Sequence, residues 1–500
     1  MNGYSGIERQ AFNDIASWWT NGTLYSYNDP DMIMPENFAQ GFWYKYSQNE
    51  GKLLATTAAL GGGHWLIGDN IPFLSEDRMN ILENKQLLNI VANGGAAKPV
   101  SMTNFYHKGE HAPDVIYTAD KHGDVYVGLS NWNSKDEASM SVNLSDLGLN
   151  SSANYTLSEI YTGSQLGKAS GQFTYNLPPN GTAIIKVAKG GSGKQGETAV
   201  NLALGKPVNV SSTWSDSGYE AANLTDGRWS TRWSAAGGHL NNEWAEIDFG
   251  KVTAVNQVVI KEYKGANFQI ANYALQYWDG TSYVDITKGF TVGDNKTIHF
   301  KSVSTSKIRF YMKTNYIIPS VSEIEAYYIK GNTGSNIVQD NSNSEYASYS
   351  DLRAGVQRMQ VFKLNNGDLP KLDIYIYESY VNTVPADAYY FDIVTLDEND
   401  NPQEKIFSAS LPAYNIPGSV SPYSIYPRLK NLDKSKKYGL ILKSPKSADT
   451  ASTDNNYGFA YSDNDTYADG YERLSLDGGK TWATENNGKR DLIFTVYSNE

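Results

Sequence analysis

Two stretches of this 500-residue chain hold too little apolar surface to order themselves, and they decide how the rest must fold. The first contains Lys189-Gly-Gly-Ser-Gly-Lys-Gln-Gly196, and the second, over 331–343, is rich in Gly, Asn and Ser. Compositions of this kind read as linkers. Linkers at 189–198 and 331–343 cut the chain into three blocks, in keeping with the roughly three domains that such a length suggests. Hydrophobic residues make up 40% of the sequence, enough to fill several cores.

The first block changes its hydrophobic period near residue 97. Before it, Ile7, Ala11, Ile15, Trp18 and Trp19 share one helical face. Glu50 to Leu60 repeats the pattern and stops at Gly61-Gly62-Gly63, a C-cap region. Ser75 suits an N-cap, with Glu76 and Asp77 at the positive end of the helix that follows. Leu24–Tyr27 and His64–Ile67 are short strand candidates between these helices. Helix and strand in alternation predict an α/β unit over 1–96. From 97 to 188 the pattern is β, with candidates at 124–129, 139–143 and 182–187.

In the second block, 199–330, Ala245, Ile247 and Phe249 point one way while Trp244, Glu246 and Asp248 point the other. Ile308, Phe310 and Met312 alternate likewise, as do Ile324, Ala326 and Tyr328. Short strands separated by turn signals predict a β-sandwich. The third block, 344–500, is β throughout, for example over 371–377 and 491–496.

Several function classes are disfavoured or excluded. A formal net charge of −12 argues against nucleic acid, whose binding rests on basic residues neutralising phosphates. The absence of cysteine excludes a disulfide scaffold, a thiolate zinc site and a catalytic thiol. No apolar run approaches the roughly 20 residues of a membrane-spanning helix, and no basic-then-apolar leader is visible. Six scattered histidines show no metal-ligand spacing, and Gly61-Gly62-Gly63 lacks the Lys-Ser/Thr of a phosphate loop. The 36 Tyr and 11 Trp suit sugar-binding surfaces, where rigid rings meet the apolar face of a pyranose, but β-rich packing also uses them.

The sharpest motif is Asn28-Asp29-Pro30-Asp31-Met32, directly after a strand candidate. Pro30 ends the strand and leaves two carboxylates on the loop at its C-terminal end, the face where (β/α)8 barrels carry active sites. An Asp-Pro turn with solvated acids is the competing reading. Further on come Asn49-Glu50, Ile67-Gly-Asp-Asn70, Leu82-Glu-Asn-Lys-Gln-Leu-Leu-Asn89, Ser158-Glu-Ile-Tyr-Thr-Gly163 and Pro178-Pro-Asn-Gly-Thr182. This series over residues 5 to 188 resembles the end of the α-galactosidase/α-N-acetylgalactosaminidase glycoside hydrolases. The resemblance implies the C-terminal part of a (β/α)8 barrel over 1–96 and an antiparallel β domain over 97–188. It places Asp29, Asp31 and Met32 at the glycone pocket.

A whole barrel takes about 250 residues, and fewer than half that number precede the β domain. In these families the nucleophile and the acid/base stand on the fourth and sixth strands, so both are expected upstream of Met1. Asp14 lies on the polar face of its predicted helix and reads as solvated rather than catalytic.

The second block opens with Asn201-Leu-Ala-Leu-Gly-Lys-Pro207 and continues through Ala222-Asn-Leu-Thr-Asp-Gly-Arg-Trp-Ser-Thr-Arg-Trp233. It goes on to Glu243-Trp-Ala-Glu-Ile-Asp-Phe-Gly250 and ends on Ser322-Glu-Ile-Glu-Ala-Tyr327. It resembles a coagulation-factor-5/8 type C (discoidin) module, the group that includes galactose-binding modules. Lys261-Glu-Tyr-Lys-Gly and Tyr273–Trp278 resemble such modules attached to α-fucosidases. The resemblance implies one structural calcium, held by Asn223, Asp226, Thr231 and Glu323, an oxygen donor set that suits a hard cation. It implies a sugar site on loops with Trp229, Arg232, His239 and Asn242 as candidates, Trp233 being assigned to the core. In the third block, Ser475-Leu-Asp-Gly-Gly-Lys-Thr-Trp482 fits an Asp-box, read here as a hairpin turn with a buried Trp. Asp463, Asn464 and Asp465 are either an ion site or a loop. The block resembles jelly-roll accessory modules.

The expected fold is therefore mixed and multidomain: a partial (β/α)8 barrel with an antiparallel β domain, a discoidin-type β-sandwich, then a jelly-roll-like β-sandwich. The expected function is the C-terminal portion of a secreted or cell-surface bacterial retaining glycoside hydrolase with a carbohydrate-binding module. Its partners would be glycans containing galactose or N-acetylgalactosamine. The alternative is a non-catalytic glycan-binding or adhesion protein with a degenerate barrel remnant.

Overall fold

The computed structural model describes residues 11, 18–20, 32–35, 46–93, 96–100, 112–120, 122–133, 136–189, 200–263, 269–293, 295–315, 317–330, 332, 334–380, 387–447 and 455–499. Most of the first predicted helix, the Leu24–Tyr27 strand, Asp14, Asp29 and Asp31 lie outside the described residues, as does most of the 189–198 linker. Two compact units emerge: residues 1–69 with 76–332, and residues 70–75 with 333–500.

The helix Gln48–Leu60 begins with a capping box. Ser47 Oγ accepts from the Glu50 N–H at 3.2 Å, and Glu50 Oε2 accepts from the Ser47 N–H at 2.8 Å. These two bonds satisfy donors that a helix start otherwise leaves bare. The helix connects two short strands, Met32–Ile33 and Leu66–Ile67, which pair in parallel with Met32 opposite Leu66. Parallel pairing through a crossover helix is the βαβ geometry. Among the described residues these two strands form a sheet of their own, and the expected partial (β/α)8 barrel is not seen. Helices Glu76–Leu82 and Lys85–Asn93 follow, the second started by Asn84, whose Oδ1 accepts from the Gln86 and Leu87 N–H groups at 3.0 Å each.

The β domain is a six-stranded sheet in the spatial order Lys98–Pro99, Val115–Ala119, Val125–Ser130, Thr182–Lys189, Tyr155–Glu159, Gln165–Ala169. A two-stranded sheet, Ala138–Asn143 with Gln172–Leu177, completes it, and Val127, Leu129, Phe173, Ile185 and Val187 fill the core.

The next block is built on two 20-residue strands, Glu243–Glu262 and Lys296–Asn315, paired antiparallel. Their register shifts between Asp248 and Thr253, next to Gly250, whose φ of 76° a side-chain-bearing residue adopts only with strain. Ala245, Ile247, Phe249, Ile308, Phe310 and Met312 all enter the core, as their alternation requires. Trp233 is fully buried and its indole N–H donates to Ser212 O at 2.9 Å. Tyr328 departs from the expected alternation: the strand Ser320–Tyr327 ends before it and its ring is exposed.

Residues 333–500 form two sheets, one of seven strands and one of six. They face each other through Tyr389 against Tyr457 (5.0 Å) and Phe362 against Phe494 (6.4 Å). The expected linker at 331–343 ends early, because Asn336–Asp340 is a strand paired with Phe494–Ser498. Its polar composition misleads for a physical reason. Buried Asn341 spends its amide on the sheet, donating to Leu492 O at 2.9 Å and accepting from the Phe494 N–H at 2.8 Å. The segment 70–75 belongs to this unit, with Phe73 between the rings of Phe391 and Tyr423 at 6.0 and 5.7 Å.

The Asp-box stretch is a hairpin turn between Tyr471–Ser475 and Ala483–Thr484. Asp477 Oδ1 accepts from Ser475 Oγ and from the Lys480 and Thr481 N–H groups, and Oδ2 accepts from Thr481 Oγ1. Both oxygens are thus engaged by the turn itself. Asp463 is likewise held, accepting from Arg490 Nε at 2.8 Å and Asn486 Nδ2 at 3.0 Å.

One carboxylate in this unit makes its stability depend on pH. Glu378 is buried, and burial alone pushes its pKa from 4.5 to about 7. A raised pKa means that the folded state holds a proton that the unfolded chain releases. The contribution of Glu378 is therefore most favourable below pH 4.5 and is lost as the pH rises to about 7. Glu378→Gln is expected to stabilise the unit at pH 8 by on the order of 2 kcal/mol and by little at pH 5. Urea unfolding at the two pH values measures this, and equal gains at both would contradict it.

Candidate functional site

The turn after the 3-10 helix Ala221–Thr225 brings two carboxylates to one place. The Gly227 N–H, at a φ of 78°, donates to Glu323 Oε1 and Oε2 at 3.3 and 3.2 Å. Asp226 Oδ1 accepts from the Arg228 N–H at 2.9 Å, and Oδ2 accepts from Thr231 Oγ1 at 2.8 Å. Glu323 is 1% exposed. Burial pushes its pKa up to about 8 against the pull of Lys261, and the nearby charges of Glu325 and Asp226 push the same way. Two long hydrogen bonds from one amide are weak compensation for a buried carboxylate.

Asn223, on the same 3-10 helix, donates from Nδ2 to Gly218 O at 3.1 Å and to Arg232 O at 2.9 Å. It thereby ties the carboxylate turn to the loop that carries Arg232. The four residues expected at a cation thus sit on one turn and the strand facing it. Among the described residues no group of three or more Asp, Glu, His or Cys side chains is arranged to hold a metal. A cation here would draw on Asp226, Glu323 and backbone or hydroxyl oxygens, donors that suit a hard ion.

The sugar-site candidates are each held by a different set of partners. Arg232 lies between two rings, its guanidinium 3.7 Å from the Tyr263 centroid and 4.8 Å from that of Tyr219. Its Nη2 donates to Tyr219 Oη at 3.3 Å, and Trp214 stands edge-on to Tyr219 at 6.4 Å. Trp229 is covered by the Lys261 ammonium at 3.9 Å, which is itself paired with Glu325 at 2.5 Å. That indole is therefore engaged beside the carboxylate turn. His239 Nδ1 stands 3.1 Å from Glu243 Oε1, and Asn242 Oδ1 accepts from Tyr311 Oη at 2.7 Å.

Sequence reasoning missed Tyr219, Tyr263 and Trp214 as the surroundings of Arg232. Trp214-Ser-Asp-Ser-Gly-Tyr219 carries a signal, two aromatics flanking a polar turn, but Tyr263 meets Arg232 only through the fold.

On the N-terminal side, Met32 and its pairing partner Leu66 are 45% and 49% exposed, while Ile33 is fully buried. Asp29 and Asp31 lie outside the described residues, so of these three expected residues Met32 is the one described. No described helix is long and apolar enough to cross a membrane.

Comparisons with known proteins fall on these blocks. Residues 207–324 match the F5/8 type C domain model, and residues 112–187 match the α-galactosidase C-terminal β-sandwich domain model. No curated protein matches the chain. Among solved structures, a GH27 β-L-arabinopyranosidase from Geobacillus stearothermophilus is 18% identical, with 37% of this chain and 43% of that one covered and a TM-score of 0.31. A Ruminococcus gnavus GH29 fucosidase solved with fucose is 26% identical over 26% of this chain and 27% of its own, at a TM-score of 0.25. A chitosan-binding module from a Paenibacillus sp. IK-5 chitosanase/glucanase is 27% identical over 26% of this chain and 99% of its own, at a TM-score of 0.23. The chain thus spans less than half the length of either whole enzyme. Residues 112–187 and 207–324 are similar, in that order, to the C-terminal β-sandwich of α-galactosidases and to the F5/8 type C domain.

Proposed function

We propose that this chain is the C-terminal portion of a secreted bacterial glycoside hydrolase of the retaining α-galactosidase or α-N-acetylgalactosaminidase type. The observation that carries this reading is the order of its parts. A parallel strand–helix–strand unit (Met32–Ile33, Gln48–Leu60, Leu66–Ile67) leads into a domain similar to the one that follows α-galactosidase barrels. Exposed Met32 and Leu66 support it further, as apolar side chains that further barrel strands would cover.

Retaining hydrolysis needs two carboxyl groups roughly 5–5.5 Å apart, one as nucleophile and one as acid/base. The reading assigns both to strands outside this chain, and assigns Asp29, Asp31 and Met32 to the glycone pocket. The chain alone is therefore expected to release no p-nitrophenol from α-galactoside or α-N-acetylgalactosaminide substrates, and turnover that depends on Asp31 would overturn the assignment. The DNA preceding the Met1 codon separates the two readings. An open frame encoding a strand-borne Asp supports the hydrolase. A start site with a secretory signal supports the glycan-binding protein.

The F5/8-type block supplies the sugar-binding role. Galactose- or N-acetylgalactosamine-containing glycans are assigned to its loops, with Arg232 and the rings of Tyr219 and Tyr263 offering a cationic edge between aromatic faces. Tethering such a module to a catalytic domain raises the effective concentration on polymeric substrate. Calcium fits the carboxylate turn, since Glu323 is buried beside Asp226 and the pull of Lys261 and the Gly227 N–H does not outweigh its burial. Asp226, Glu323, Thr231 and Asn223 would hold it. When bound, the ion supplies fixed positive charge that neutralises both carboxylates. Asn223 then holds the Arg232 loop in place.

Calcium at about 100 times its dissociation constant is expected to stabilise this unit by about 2.7 kcal/mol, a gain that EDTA reverses. Asp226→Asn is expected to remove most of the gain. Thermal unfolding with and without calcium reads it, and an unchanged transition in the parent chain would contradict the site.

A further inference from the structure

The seven-stranded sheet of the C-terminal unit has an outward face that neither family match reaches. Along Leu372–Tyr380 the side chains alternate. Leu372, Ile374 and Ile376 enter the core, and Asp373, Tyr375, Tyr377 and Ser379 lie on the opposite face, Asp373 buried and the other three partly exposed. Pairing carries the outward face across the sheet. Tyr377 lies opposite Gly458 on strand Asn455–Ser462, and Ser350 and Ser348 on strand Ala347–Leu352 lie opposite Gly458 and Ala460. Tyr346, two residues before Ser348, reaches the same face, its ring 6.0 Å from that of Tyr375 at an interplanar angle of 50°.

Gly458 explains how Tyr377 is held. A Cβ at Gly458 would stand 2.1 Å from the Tyr377 ring, so the ring lies across the neighbouring strand in space that only glycine leaves. Tyr377 is partly exposed, and the neighbouring residues on the same face, Ser348, Ser350 and Ala460, are small. The Tyr377 ring thus shares one face of the sheet with small residues and with the Tyr346–Tyr375 pair. Tyr346 is 44% exposed.

The chemistry of the face selects among ligands. Its carboxylates are engaged by neighbours: Asp373 by Tyr497 Oη at 2.7 Å, Ser424 Oγ at 2.5 Å and Lys371 Nζ at 3.2 Å, and Asp340 by Thr495 Oγ1 at 2.8 Å. What remains is aromatic or hydroxyl-bearing. Lys371, the basic side chain beside Asp373, is paired with that carboxylate and lies over the Tyr497 ring, so it is a poor partner for phosphates and polyanions, which disfavours nucleic acid and acidic surfaces. An apolar peptide would leave the serine hydroxyls facing carbon. A pyranose presents an apolar C–H face to stack on a ring and hydroxyls at its rim to meet Ser and Tyr oxygens.

We propose that this face is a second sugar-binding site, taking a neutral glycan whose ring stacks on Tyr377 against Tyr346 and Tyr375. It goes beyond the sugar-binding role given to the F5/8-type block and does not depend on it.

The full chain in native affinity gels cast with galactomannan, xyloglucan or gastric mucin provides the test. Retardation by at least one polysaccharide is expected, weakened roughly tenfold by Tyr377→Ala or Tyr346→Ala and largely kept by Tyr377→Phe, which retains the ring. Ser348→Arg, at an exposed position on the same face, is expected to block binding without entering the core, so the test survives if an alanine variant misfolds. Asp226→Asn run alongside reports on the F5/8-type block separately. Retardation unchanged in Tyr377→Ala, Tyr346→Ala and Ser348→Arg, or no retardation of the parent by any of the three polysaccharides, overturns the proposal.

Discussion

Replacing Arg358 with Met is expected to cost the C-terminal unit about 3–5 kcal/mol. Arg358 is buried on strand Gln357–Lys363, where Nη2 donates to Asp351 Oδ2 at 2.5 Å and Nη1 to Glu472 Oε1 at 2.9 Å. Glu472 is fully buried, and even with Arg358 beside it burial holds its pKa up at about 7. Removing the guanidinium leaves two carboxylates in low dielectric with no cation between them. The sign of the pH dependence follows. Glu472 carries a raised folded pKa, so the loss is smallest near pH 5, where it is protonated, and largest at pH 8. Arg358→Met with Glu472→Met is expected to recover much of the loss, because a buried pair exchanged for apolar groups is close to neutral. Urea unfolding of the single and double variants decides it, and equal stability of the two at pH 8 would show that the pair is not coupled.

The second large effect belongs to Phe73. Phe73→Ala is expected to destabilise the C-terminal unit by about 3–5 kcal/mol, the usual range for deleting a buried aromatic ring. Its ring is packed edge-on to Phe391 and Tyr423. The backbone around it is bonded into the same unit. The Tyr426 N–H donates to Pro72 O at 2.8 Å, and Arg428 Nη1 and Nη2 donate to Ile71 O and Leu74 O at 3.1 and 2.6 Å. Phe73→Leu keeps apolar volume and is expected to lose less than half as much. A loss under about 1 kcal/mol in Phe73→Ala would mean that 70–75 lies against this unit without stabilising it.

That segment also marks the limit of what the sequence makes legible. Local signals worked where the chain satisfies itself locally. Ser47 and Glu50 cap the helix that apolar spacing predicts to Leu60, and the alternation through Ala245, Ile247 and Phe249 is the buried side of a strand. Trp233 reads as core and is core. Contacts between distant positions were legible only through resemblance, as with Gly227 and Glu323, 96 residues apart in sequence. Others left no trace. Lys261 covers Trp229, Tyr263 flanks Arg232, and Phe73 packs with Phe391, in each case because the fold brings together positions whose local patterns are ordinary. The strand Asn336–Asp340 was hidden by composition. Asn and Ser lower apparent hydrophobicity, but Asn341 is buried with its amide fully used.

Glycan-array binding by the full chain, with calcium and with EDTA and with Asp226→Asn beside the parent, tests the sugar-binding role most directly. The expected result is retention on glycans that end in galactose or N-acetylgalactosamine, weakened by EDTA and by the substitution, because the carboxylate turn holds the Arg232 loop through Asn223. Retention on no glycan, or retention indifferent to both calcium and Asp226, would contradict it.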